Sequence, residues 1–147
     1  RKTTPGMRVI EKYAVRMGGG VNHRMTLSDA ALIKDNRIAA AGGVVAAFAK
    51  VRGTYPEAEI EIEVDTLEQL KEVLPLNPDL ILLDNMSPEL CAQAVALVNG
   101  KCKLEASGGI SIANARAYAQ SGVDYIAIGA LTHSVPVFDI GLDLRTE

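Results

Sequence analysis

Apolar and polar positions along this chain switch repeatedly between a two-residue and a helical period. Ile60, Ile62 and Val64 alternate with Glu59, Glu61 and Glu63, the repeat of a strand with one polar face. Leu80-Ile81-Leu82-Leu83 is a fully apolar run that ends at Asp84-Asn85, a buried strand followed by turn chemistry. Shorter runs over 30–33, 103–106 and 125–128 predict three more strands. Helical patterns lie around them. Met7, Ile10, Ala14 and Met17 share one face, opened by Thr4 and Pro5 and stopped by Gly18-Gly19-Gly20. Residues 44–51 predict a second helix. Thr66-Leu67-Glu68-Gln69 is a capping box leading into Leu70, Val73 and Leu74. Ser87-Pro88-Glu89 opens another helix that Gly100 ends, and Ser111 caps one running to about Gln120. Residues 137–144 read as a last short strand or a docking tail.

Strand–helix alternation at this spacing predicts parallel strands with crossover helices. An open doubly wound sheet and a (β/α) barrel both fit. The absence of GxGxxG, and polar residues recurring at strand C-terminal ends, favour an α/β TIM-like barrel, whose site gathers at that face. No linker or low-complexity stretch divides the chain, so a single domain over 1–147 is expected.

Composition narrows the partners. The chain is 48% hydrophobic with no Trp and 4% aromatics, so the core must come from Ala, Val, Ile and Leu. A formal net charge of −3 offers nothing to nucleic acid or an anionic membrane. The longest apolar stretch, 38–49, is too short to span a bilayer and contains Gly42 and Gly43, and no secretory signal is recognisable. Cys91 and Cys102 lack CxxC spacing or a nearby His and read as free thiols in a reducing cytosol. The opening, with charged residues and no initiator Met, reads as a segment of a longer protein.

Within this acidic chain, Arg1, Lys2, His23, Arg24 and Lys34 crowd the first quarter, which points to an anionic ligand. The strand ends collect Lys34, Glu63 with Asp65, Asp84, Ser107-Gly108-Gly109 and Gly129. Taken singly, each has a plain explanation: a solvated lysine, a polar strand face, a turn aspartate, a tight glycine turn. Ser107-Gly108-Gly109 also stands before a helix whose first amides are unpaired, the makings of a phosphate site. Gly129 falls at the next strand end, and late barrel loops commonly share one such site. Cations, two carboxylates and a glycine cradle together fit glycosyl-phosphate chemistry through an oxocarbenium-like centre. The carboxylates also suit Mg²⁺.

The runs Arg1–Gly6, Glu11–Val15, Gly18–Gly20, Asn22-His23-Arg24 and Ala31–Asn36 resemble the quinolinate phosphoribosyltransferase family. So do Glu61–Val64, Ile81–Asn85, Glu105–Ile110 and Ile128–Ser134, in the family's order and over nearly the whole chain. The resemblance implies an incomplete (β/α) barrel of fewer than eight strands, preceded in the family by an N-terminal α/β domain. It implies a Mg²⁺-dependent, cytoplasmic, homodimeric enzyme. That enzyme converts quinolinate and phosphoribosyl pyrophosphate to nicotinate mononucleotide, pyrophosphate and CO₂ in NAD biosynthesis. By motif position, Arg1, His23 and Arg24 are expected to bind the quinolinate carboxylates, with Lys2 and Lys34 between the two substrates. Glu63 and Asp84 are expected to hold ribose hydroxyls and Mg²⁺. Ser107, Gly108, Gly109, Ile128, Gly129 and Ala130 are expected to cradle the 5-phosphate. Arg37 stands where the family usually has His. Two further readings stay open: a phosphate-binding barrel segment without turnover, and a related phosphoribosyltransferase acting on another carboxylated ring.

Overall fold

The computed structural model describes residues 2–144, which fall into two compact units, residues 2–21 with 129–144 and residues 22–128. Arg1, expected to bind substrate, lies outside the described residues.

The larger unit is built on five parallel strands: β1 (Ala31–Ile33), β2 (Ile60–Val64), β3 (Leu80–Asp84), β4 (Lys103–Ser107) and β5 (Tyr125–Ile126). They pair in the order β1-β2-β3-β4-β5, each beside its neighbour in sequence. A doubly wound sheet reverses its order at a switch point. This one never does, so it is an arc of (β/α) barrel topology, and the sequence expectation holds.

Helices α2 (Asp35–Ala41), α3 (Val44–Thr54), α4 (Leu67–Val73), α5 (Pro88–Val98) and α6 (Ala115–Gln120) fill the crossovers. Ile33, Ile60, Ile62, Val64, Ile81, Leu83, Leu104 and Ala106 form the aliphatic core with Phe48, Leu70, Val73, Cys91, Val98 and Tyr118 from the helices. Full burial of each large side chain there stabilises the fold by about 1.5–3 kcal/mol. The alternate strand positions form the second face, which carries Leu32, Glu61, Glu63, Leu82 and Glu105, all buried. What the sequence presented as a polar strand face is therefore the inward face of the arc.

The start of β3 and the start of β5 use one device. Asp79 accepts the Ile60 amide at 2.8 Å and pairs with Arg52, while Asp124 accepts the Leu104 amide at 2.9 Å and pairs with Lys103. Each aspartate ties its strand to the preceding one at the N-terminal end, where barrels keep their stabilising contacts.

Several expected boundaries move. Thr66 caps α4 by accepting the Gln69 amide at 3.2 Å, but the Gln69 side chain reaches back to the Asp65 amide, one residue before the cap. Helix α2 follows Lys34 directly and was not anticipated, because its Ala39-Ala40-Ala41 segment has no apolar periodicity. Helix α6 begins at Ala115 rather than beside Ser111, since Asn114 Oδ1 takes the Ser111 amide at 2.7 Å in a preceding turn. Cys91 and Cys102 are free thiols, the former buried.

In the smaller unit, α1 spans Arg8–Met17 and α7 spans Ala130–His133. Helix α1 starts after Met7 without a side-chain cap, three residues later than Thr4 and Pro5 suggested. Met7, Ile10 and Met17, which share the apolar face, are exposed. No strand forms within the described part of 137–144, whose large apolar side chains are exposed. No helix is long and apolar enough to cross a membrane among the described residues.

Candidate active site

Lys34 directly follows β1, Glu63 lies near the end of β2, Asp84 ends β3 and Ser107 ends β4, so four expected site residues stand at the C-terminal ends of adjacent strands. The Lys34 ammonium forms an ion pair with Glu63 Oε2, and the Asp35 amide donates to Glu63 Oε1 at 3.4 Å. Glu63 is buried, so its charge leans on this lysine. Asp84 Oδ2 accepts from the Asn85 side-chain amide at 2.6 Å.

Ligand oxygens of Glu63, Asp65 and Asp84 lie within 4.8 Å of one another. An all-carboxylate oxygen donor set suits a hard divalent cation such as Mg²⁺, which takes one or two protein carboxylates and completes its shell with water and phosphate oxygens. Glu63, Asp65 and Asp84 are thus a donor set that such a cation could use.

A second cluster escaped the sequence reading. His23 Nε2 lies 2.9 Å from Glu61 Oε2, and Glu105 completes a group whose ligand atoms also lie within 4.8 Å of one another. The Glu61 hydrogen bond raises the His23 imidazole above its ordinary value, opposed by burial and by Arg24. Burial, and then the Glu61 charge, push Glu105 up to about 7. Arg24 Nη1 donates to the Ala30 carbonyl at 3.1 Å, anchoring its guanidinium beside β1. Glu61 sits two residues before Glu63, and Glu105 two before Ser107. Recognising that the period-two face turns inward would have found both.

The glycine loop is tighter than a bare cradle. Gly108 has φ of +100°, and a Cβ there would stand 2.2 Å from Asn85 Oδ1. Gly108 is thus required by the close passage of Asn85, whose own amide holds Asp84. The helix that was to present its N-terminus starts only at Ala115 and has six residues, so the helix-dipole part of the phosphate argument fails. The loop amides and Ser107 remain. Ile128 closes the larger unit, whereas Lys2, Gly129 and Ala130 belong to the smaller one. There, a Cβ on Gly129 would meet the His133 imidazole at 2.9 Å and the Lys2 side chain at 3.7 Å, so Lys2 does approach the glycine at which α7 begins. His133 was not among the expected site residues.

Gly108→Ala is expected to cost about 1–3 kcal/mol from backbone strain alone. Displacing Asn85 adds to that and disturbs Asp84. Melting curves of the variant, and of the double variant with Asn85→Gly, check this; the double variant should recover part of the loss.

A parallel arc of strands with paired charges at their C-terminal ends is the architecture of a (β/α)-barrel enzyme. The chain matches the family described as quinolinate phosphoribosyl transferase, C-terminal domain, over residues 1–143, and it belongs to that family. It is 55% identical over 147 residues to nicotinate-nucleotide pyrophosphorylase (carboxylating) of Mycobacterium leprae (strain TN), covering 98% of this chain and 52% of that protein. A probable nicotinate-nucleotide pyrophosphorylase (carboxylating) of Bacillus subtilis (strain 168) is 46% identical, with 98% and 50% covered. Among solved structures, nicotinate-nucleotide pyrophosphorylase from Ehrlichia chaffeensis superimposes with a TM-score of 0.93 at 48% identity, over 99% of this chain and 53% of that one. The chain spans about half the length of the curated relatives it matches.

Proposed function

We propose that the protein carrying this chain transfers the phosphoribosyl group of phosphoribosyl pyrophosphate to quinolinate. Decarboxylation follows, giving nicotinate mononucleotide, pyrophosphate and CO₂. The observation that carries this reading is the Lys34–Glu63 ion pair, set beside Asp65 and Asp84 at the strand C-terminal ends.

In this reading Arg24 and His23, with Arg1, meet the two carboxylates of the pyridine ring. Two carboxylates ask for more than one cation, which favours a dicarboxylate over nicotinate. Lys34 and Lys2 offset the negative charge gathered where the substrates meet. Glu63 and Asp84 accept from ribose hydroxyls and stabilise positive charge developing at the anomeric carbon. Ser107 with the amides of Gly108 and Gly109, and those of Ile128, Gly129 and Ala130, receive the 5-phosphate. Mg²⁺, held through Glu63 and Asp84 with Asp65, would neutralise the leaving pyrophosphate. A homodimer and a cytoplasmic location complete the proposal by family membership.

The test is product formation by the full-length protein from quinolinate, phosphoribosyl pyrophosphate and Mg²⁺. Nicotinate mononucleotide and CO₂ in equal amounts support the reading, and equal use of nicotinate as acceptor overturns the dicarboxylate assignment. Arg24→Ala is expected to raise the quinolinate KM by about 10–100-fold with a smaller change in kcat, since a charge-assisted bond is removed from binding. A fall in kcat with unchanged KM contradicts that role.

A further inference from the structure

The inward face carries two buried carboxylates that the proposed reaction does not use. Glu61 and Glu105 come from strands on either side of β3, and each is more than nine-tenths buried. Glu61 Oε1 and Glu105 Oε1 have no hydrogen-bond partner. An orphaned buried carboxylate oxygen is costly, so such a pair persists where it serves something. The partner in reach is His23. Its Nε2 meets Glu61 Oε2 at 2.9 Å, while its Nδ1 accepts the Arg24 amide at 2.8 Å on the exposed side. The ring therefore bridges from the buried pair to the open surface, with the Nε2 proton directed at Glu61.

We propose that Glu61, backed by Glu105, is a positioning residue: it fixes the tautomer and orientation of His23 so that Nδ1 faces the ligand side, and it supports the ring's positive charge when a carboxylated ligand arrives. The inference rests on the quinolinate reading above. A carboxylate behind an imidazole does the same elsewhere, raising the basicity of the outward nitrogen and locking the ring. The charged groups bearing on the pair are His23, Arg24 and Lys34. Arg24 opposes a proton on His23, and Lys34 opposes one on Glu105. A proton gained at Nδ1 gives up the Arg24 amide bond, and a substrate carboxylate replaces that partner.

The experiment uses the full-length protein with Glu61→Leu, which removes both acceptor and charge, and Glu61→Gln, which keeps an acceptor for Nε2. Loss of an outer-shell partner of this kind typically costs 10–100-fold. Glu61→Leu is expected to raise the quinolinate KM by about 10-fold or more, leaving the phosphoribosyl pyrophosphate KM and kcat within about 3-fold. Glu61→Gln is expected to fall between that variant and wild type, with the His23 imidazole titrating at lower pH by NMR. If the leucine variant does not fold, the glutamine variant decides. An unchanged quinolinate KM with unchanged His23 titration, or an equal rise for both substrates, overturns the inference. Wild-type protein that never turns over quinolinate sinks the functional reading instead, and the His23 titration still judges the Glu61 contact.

Discussion

Lys34→Ala is expected to lower kcat by about 10²–10³-fold, the usual loss when one preorganised electrostatic partner leaves an active site. Two effects combine. The ammonium is the ion-pair partner of Glu63, and Glu63 is buried. Without it the carboxylate is left buried without its ion-pair partner, which is costly and spoils its placement as an acceptor for ribose hydroxyls or a cation. The same ammonium also offsets the negative charge of two anionic substrates, so their approach becomes less favourable. Lys34→Arg keeps the charge but replaces a compact ammonium with a planar fork, and should restore activity only in part. Steady-state constants for both variants check this. A Lys34→Ala enzyme with wild-type kcat and a raised KM alone contradicts a role at the reacting centre.

Glu105→Gln is expected to change the pH dependence of stability. Burial and the neighbouring Glu61 push Glu105 up to about 7, against an unfolded value near 4.3. The folded state therefore holds its proton more tightly than the unfolded state. Below about pH 4 both states are protonated and the group contributes nothing to the difference. As pH rises from there through about 7, the unfolded chain ionises freely while the folded one resists, and stability falls. The loss levels off above 7 and amounts to at most roughly 4 kcal/mol. Glutamine mimics the protonated acid and has no such slope. The variant should match wild type near pH 4 and melt higher than wild type at pH 8. An equal shift in melting temperature at both pH values contradicts the assignment.

The arrangement of the strands was legible because β2 and β3 announce themselves in opposite ways, one by alternation and one by a fully apolar run. Their sequential order was not readable from the pattern; it follows from pairing, which depends on contacts between distant segments. Lys34, Glu63, Asp84 and Ser107 were legible as strand-end polar residues because barrel topology brings strand ends together whatever lies between them. Glu61 and Glu105 were hidden by the same alternation that revealed β2. A glutamate on a period-two face looks solvated until the face is known to turn inward. The start of α6 was misplaced because Ser111 and Asn114 are both good caps. The structure starts the helix after Asn114 with neither side chain capping it, and Asn114 Oδ1 instead takes the Ser111 amide in the preceding turn. The exposed Met7, Ile10 and Met17 of α1 make the same point in reverse. Periodicity reports which residues share a face, and contacts decide whether that face is covered.

The measurement that bears most directly on the inward-face site is calorimetric titration of the full-length protein with quinolinate, run in parallel with nicotinate. Saturable quinolinate binding at least about 10-fold tighter than nicotinate, and weakened by about 10–100-fold in Arg24→Ala, is the predicted result. Equal affinity for the two acids, or quinolinate binding untouched by Arg24→Ala, would contradict the assignment of these residues to a dicarboxylate.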